Sequence, residues 1–303
     1  MTTGRGVGAL VLASLLWGTT GTAASFLPDA ISPVATGAAT MTLGGAALFV
    51  LNARGSVRVL LDPAARGWVV LGALGVFAYP LAFYSGMNLA GVAVGNVVAL
   101  GSGPIFAALL EWLVDGDRPG QRWIVATALA VAGIIALPYG VVSEATEQGG
   151  AIVAGMLLGL VAGAAYALFT FASSTVITDL RRAHQARAVM GAMFGVGAAI
   201  LAPVLIVTGA PILQHPSSIA ISLYLAVGPM FVAYLLFGFA LGTVRSSSAT
   251  TITLLEPIVA TSLAIVVVGE RLSLLGWVAM ALIMVGVFVV ASARRTDAGR
   301  HPS

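Results

Sequence analysis

The sequence predicts an all-α membrane protein, with ten transmembrane helices in two inverted five-helix repeats. Three observations carry that prediction. First, 59% of the 303 residues are hydrophobic and only 8% are charged, with a mean hydropathy of +1.04. A soluble domain carries about 25% charged residues, and no fold of this size hides so much apolar surface from water. Second, the basic residues fall on one side of the predicted spans. Third, a motif around Pro257 recurs around Pro104.

A span needs about 20 apolar residues to cross about 30 Å of hydrocarbon. Ten segments qualify: 5–26, 33–52, 67–86, 90–113, 122–141, 151–173, 188–209, 218–241, 247–267 and 274–293. Turn residues separate them: Pro28-Asp29 to Pro33, Asp62-Pro63, Asp117-Arg118-Pro119-Gly120, Gln148-Gly149-Gly150 and Gln214-His215-Pro216. The shortest break, around Asn88, separates the third span from the fourth. No loop is long enough for a soluble domain. The first span has a small-residue stretch at Thr22-Ala23-Ala24 that resembles a signal-peptide site, but its weak n-region and its match to a later span predict that it is retained.

All 14 basic residues are arginine. When the loops are alternated, one side receives Arg5, Arg54, Arg58, Arg66, Arg118, Arg122, Arg181, Arg182, Arg187, Arg245, Arg294, Arg295 and Arg300, and the other receives Arg271 alone. The positive-inside rule makes the first side cytoplasmic, with both termini there. The same placement accounts for the basic pI near 9.7 without nucleic acid as a partner. The chain has no cysteine and three dispersed histidines, which excludes thiol chemistry and predicts no metal centre or cofactor. It also lacks a phosphate loop, a catalytic triad and a paired-carboxylate motif, so the prediction is not an enzyme.

Aligning 104–133 with 257–286 gives 12 identities, including Pro104/Pro257, Gly116/Gly269, Arg118/Arg271 and Gly133/Gly286, at a constant offset of 153. Chance pairing in so Ala- and Leu-rich a chain gives about three or four. Leu15-Leu16-Trp17-Gly18 matches Ala164-Ala165-Tyr166-Ala167 more loosely. Five spans per half is an odd number, so the second half enters the membrane upside down. The predicted units are 1–145 and 146–303. Inverted repeats of this kind mark secondary transporters that work by alternating access.

Trp17-Gly18, Leu255-Glu256-Pro257 and Gly269-Glu270-Arg271-Leu272 resemble the drug/metabolite transporter superfamily, EamA type. That resemblance implies ten helices in two EamA-like units. It also implies export of amino acids or related metabolites across a bacterial inner membrane. One departure stands out: the counterpart of Leu255-Glu256-Pro257 is Ser102-Gly103-Pro104, which has no carboxylate.

The candidate substrate-binding residues are Trp17, Tyr79, Asn96, Ser102, Tyr166, Tyr234, Thr253 and Glu256. Glu256 is the one carboxylate placed well inside a span, where it must be protonated, hydrogen-bonded or facing a wet cavity. It reads equally as a structural acid, because Pro257 frees the carbonyl of Thr253. Thr253 shares its helix face. Asn96 gains nothing from facing lipid, and Ser102 can bond its own helix carbonyl. The four aromatics fall near mid-depth, where their polar tips need partners within the bundle or at a solute cavity. The expected partners are a small-molecule solute, the lipid bilayer and a coupling proton, with the chain a monomer or homodimer. The alternatives are a multidrug or cationic-drug exporter of the same fold, or a non-transport membrane receptor. The charged turns at 117–118 and 270–271 read as solvated caps, with a gating salt bridge as the other reading.

Overall fold

The computed structural model describes residues 2–116, 120–140, 149–179, 186–241, 252–253 and 255–297. It is built from helices. In order they are α1 (Thr2–Gly18), α2 (Thr20–Ala24), α3 (Pro33–Leu51), α4 (Ala53–Leu61), α5 (Pro63–Ala90), α6 (Val92–Asp115), α7 (Gln121–Gly140), α8 (Gly149–Ser174), α9 (Ala186–Thr208), α10 (Pro216–Leu225), α11 (Ala233–Leu241), α12 (Leu255–Leu263) and α13 (Leu274–Asp297). π-helical turns at Thr175–Asp179, Ala226–Val232 and Ala264–Val268 extend α8, join α10 to α11 and extend α12. Among the described residues, seven helical stretches are long and apolar enough to cross a membrane. Three shorter apolar helices accompany them at Trp123–Leu137, Leu255–Val268 and Leu274–Val289. The chain is a multi-pass membrane protein.

Several boundaries follow from local chemistry. Ser32 caps α3 by accepting from the Ala35 N–H at 3.2 Å, with Pro33 in the first turn. Asp62 caps α5 in the same way through the Ala64 N–H at 3.0 Å. Each proline has no amide to leave unpaired there. The third span runs on through Asn88 to Ala90, and the break falls at Gly91. Gly91 has φ 91°, which an L side chain rarely adopts, so one residue suffices to turn α5 into α6. Gly116 and Gly269 both end their helices in the left-handed conformation, at φ 78° and 81°.

Helix α4 was not apparent from hydropathy, which shows only a loop between two spans. Ser56 and Val59 are buried, while Arg54 and Arg58 are exposed on the other face. This is the pattern of a helix lying along a membrane surface.

The core is built by close helix approach. α3 packs on α9, α5 and α6 both pack on α8, α1 packs on α11 and α12, and α7 packs on α13. Glycines set these crossings. Gly133 of α7 lies against Ala279 and Ile283 of α13, and Gly286 of α13 lies against Ala126 and Ala130 of α7, so the two helices run antiparallel. Gly163 of α8 lies against Ala99 and Ser102 of α6, and Gly18 of α1 against Glu256 and Val259 of α12. Without a hydrophobic drive between helices in lipid, such small-residue contacts supply the van der Waals packing.

Candidate functional site

Helix periodicity brings a set of aromatic side chains to the middle of the bundle. Gly75, Val76 and Tyr79 of α5, Tyr166 and Phe169 of α8, Phe194 of α9, Tyr234 of α11 and Met41 of α3 line one cavity. Tyr166 and Phe169 are three residues apart and share a face. Gly75 lets α5 come close, since a Cβ there would lie 2.5 Å from the Ala165 carbonyl oxygen. The volume open to a water's centre is about 10 Å³, the room of one water.

The rings form a continuous chain. Tyr79 stacks on Phe83 with centroids 5.1 Å apart and lies 5.9 Å from Tyr166. Tyr166 meets Phe169 at 6.3 Å, Phe169 meets Phe194 at 5.1 Å, and Phe194 meets Tyr234 at 5.0 Å. Tyr234 then meets Trp17 edge-on at 5.3 Å. Edge-to-face and offset pairs each contribute about 0.5–1.5 kcal/mol beyond their buried area. The chain therefore stiffens the cavity wall.

All four aromatics singled out in the sequence meet here, in different ways. Tyr79, Tyr166 and Tyr234 line the cavity. Trp17 stands behind Tyr234, and its indole N–H donates to the Pro229 carbonyl at 2.9 Å. That carbonyl belongs to the π-helical turn between α10 and α11, where helical pairing is disturbed. The polar end of Trp17 is thus occupied within the protein.

Glu256 sits in the first turn of α12, part-buried, and lies within electrostatic reach of Tyr79, Tyr166 and Tyr234. Tyr166 keeps 36% of its surface exposed, so protein does not close off that ring completely. Thr253 is part-buried and engaged with a neighbour. The arrangement is one acid within electrostatic reach of three phenol rings, which suits a ligand that is cationic at one end and apolar elsewhere.

The other two candidates differ from these. Ser102 is buried and donates to the Ala99 carbonyl at 3.3 Å, so its hydroxyl is spent on its own helix. Asn96 is fully buried, and neither end of its amide has a hydrogen-bond partner among the described residues. It shares the face of α6 that carries Gly103, which packs against the ring of Tyr166. A buried unpaired amide is costly, so its persistence calls for an explanation.

Sequence reasoning missed Met41, Phe169 and Phe194 as lining residues. The i, i+3 spacing of Tyr166 and Phe169 was a usable signal, whereas Phe194 looked like any core phenylalanine. It also took Glu270 for a solvated cap. The Glu270 carboxylate instead accepts from the N–H groups of Val92 and, at 2.9 Å, Ala93, at the start of α6. Its sequence counterpart Asp117, with Arg118, lies outside the described residues, as does the loop containing Arg245.

A multi-pass helical bundle with an aromatic cavity among its helices is a form that membrane transporters take. Comparison with known proteins agrees. The model of the EamA-like transporter family matches residues 4–138 and again 153–292, so the chain belongs to that family. It is 33% identical over 290 residues to the uncharacterized transporter YwfM of Bacillus subtilis (strain 168), covering 94% of this chain and 93% of that one. A solved crystal structure, 23% identical, aligns over 96% of this chain and 98% of its own with a TM-score of 0.60, which shows a shared fold.

Proposed function

We propose that the chain is a secondary transporter that exports a small organic solute, an amino acid or related metabolite, by alternating access across a bacterial inner membrane. The observation that carries this reading is the aromatic cavity lined by Tyr79, Tyr166 and Tyr234, with the Glu256 carboxylate within electrostatic reach of all three. Those residues come from both halves of the chain, so a solute held there would sense the two halves moving against each other.

Two inverted five-helix units, 1–145 and 146–303, are part of the proposal. Three features support them. The family model matches the chain twice. The helix packing maps onto itself when each helix is exchanged for its counterpart: α5 on α8 becomes α1 on α11, α6 on α8 becomes α1 on α12, and α3–α9 and α7–α13 each map onto themselves. Finally, Gly133 meets residues 279 and 283 while Gly286 meets 126 and 130, the same contacts shifted by 153 and running antiparallel. With thirteen arginines on one side, the positive-inside rule places both termini in the cytoplasm and Glu270 outside.

A solute with an ammonium group would pair with Glu256 and lie against the phenol faces, each worth about 0.5–2 kcal/mol as the site dries. A one-water cavity is a collapsed site, so binding requires it to widen. The sequence has no ATP-binding motif, so the energy comes from an ion gradient or the solute's own gradient. Glu256 is the group that would carry a coupling proton, in a monomer or homodimer. The same acid supports a second reading, a cationic-drug exporter.

Flux in proteoliposomes tests both readings. A panel of amino acids and cationic dyes is assayed with and without a pH gradient, in the native chain and in Glu256→Gln. The proposal expects flux of at least one amine-bearing solute, reduced tenfold or more in the variant. Dye flux alone favours the second reading. Undiminished flux in Glu256→Gln removes the acid from the mechanism.

A further inference from the structure

We propose that Glu270 is a gating residue: its carboxylate pins the turn after α12 to the N-terminus of α6 and holds shut the end of the bundle away from the chain termini. The proposal rests on the alternating-access reading above.

The contact joins the two halves of the chain. Glu270 follows the left-handed Gly269, and its own N–H donates to the Ala264 carbonyl at 3.0 Å, closing the π-helical turn. The backbone that carries the carboxylate is therefore fixed. On the other side, α6 begins immediately after Gly91, and its first amides have no intrahelical acceptor. A carboxylate there satisfies two of them and meets the positive end of the helix dipole. A Cβ on Gly91 would lie 3.0 Å from a Glu270 carboxylate oxygen, so a side chain there would crowd the bond.

The surrounding packing makes this the closed end. α2 breaks away from α1 at Thr19 and packs against α5, α6, α10, α12 and the π-helical turn that follows it. Gly21 of α2 lies against Val92 and Met87, both buried. Val92 is also one of the two residues whose amide Glu270 holds. Fourteen residues separate Glu256 from Glu270 on one span, roughly 21 Å of helix. One span thus carries Glu256 at one end and the latch at the other. Swinging that segment away from α6, as an opening requires, must break the Glu270 bonds, and keeping them holds the seal.

The chain has no cysteine, so a single engineered thiol reports access. Val76→Cys lies on the cavity wall and is 2% exposed. Its reaction rate with a membrane-impermeant cationic thiosulfonate is measured from each face of oriented vesicles. In Glu270→Gln the rate from the Glu270 face should rise about tenfold, equivalent to about 1.4 kcal/mol, and the rate from the opposite face should not rise. Arg271→Gln, an exposed neighbour, should change neither rate. Glu270→Asp keeps the charge on a shorter arm and should fall between native and Gln; it stands in if the Gln variant fails to insert. An unchanged rate in these variants overturns the proposal, as does an equal rise from both faces, which reports general loosening. Labelling needs no solute, so an empty flux panel with latch-dependent labelling overturns the export reading and leaves the latch standing.

Discussion

Replacing Gly133 and Gly286 by alanine, singly and together, tests the α7–α13 crossing and the symmetry read from it. A Cβ on Gly133 would stand 2.5 Å from the Ala279 carbonyl oxygen and 3.1 Å from the Ile283 amide nitrogen. A Cβ on Gly286 would stand 2.6 Å from the Ala126 oxygen and 3.1 Å from the Ala130 nitrogen. Ordinary contact begins near 3.4 Å, so the helices must part by roughly 0.9 Å for the first change and 0.8 Å for the second. The nearest obstructing atom at each site is a backbone carbonyl oxygen, which cannot rotate away; at Gly133 the Ile283 Cγ1 also stands 2.7 Å off, and that side chain can shift. Overpacking of this kind costs about 1–3 kcal/mol, and better helix propensity returns up to about 1 kcal/mol. Each single variant should therefore lose about 1–2 kcal/mol, by nearly the same amount. The double variant should lose less than the sum, because one separation relieves both clashes. Reversible unfolding in mixed micelles measures all three. Gly8→Ala, where nothing lies within 4 Å, should be neutral or slightly stabilising. Unequal single effects would break the symmetry argument, and strict additivity would show that the two glycines do not share one interface.

Asn96→Leu removes a buried amide that has no hydrogen-bond partner among the described residues. It should raise stability by about 1–3 kcal/mol while lowering solute flux, and a loss of stability would show that the amide is paired. Trp17→Phe keeps the ring against Tyr234 but strips the bond to the Pro229 carbonyl. Unfolding should become easier by about 0.6–2 kcal/mol, the range for polar contacts between membrane helices. Ser102→Ala should leave flux within about twofold of native, since that hydroxyl serves its own helix; a tenfold loss would place it at the solute.

The apolar helices were legible because membrane hydrocarbon imposes one rule, a long apolar run, which seven described stretches meet in full and three shorter ones in part, and Asp62-Pro63 and Ser32-Pro33 mark helix starts by capping chemistry. The convergence of Tyr79, Tyr166 and Tyr234 was legible because aromatic rings at mid-depth with polar tips are out of place in lipid. What was hidden depends on contacts between distant segments. The break at Gly91 was read at Asn88 because a single glycine with positive φ leaves no polar signature in so glycine-rich a chain. Helix α4 was hidden because its amphipathic pattern spans only nine residues. The docking of Glu270 on α6 joins residues 178 apart, and no local pattern encodes such a partner.

Two carboxylates on one span face opposite problems, and this explains why the repeat can be close yet broken. Glu270 sits in a Gly-acid-Arg turn that both halves share, where an acid satisfies helix-end amides and costs little. Glu256 has Gly103 as its counterpart, and Gly103 is where Tyr166 of α8 comes to rest. A Cβ at 103 would meet that ring at 3.4 Å, already ordinary contact, so a longer side chain there would have to be accommodated against Tyr166. At the matching contact, the close approach of α1 to α12 falls on Gly18, against Val259 and the Glu256 carbonyl, so no glycine is needed at 256. The repeat is therefore broken at one position: the first half has a glycine there, packed on Tyr166, and the second half has a carboxylate.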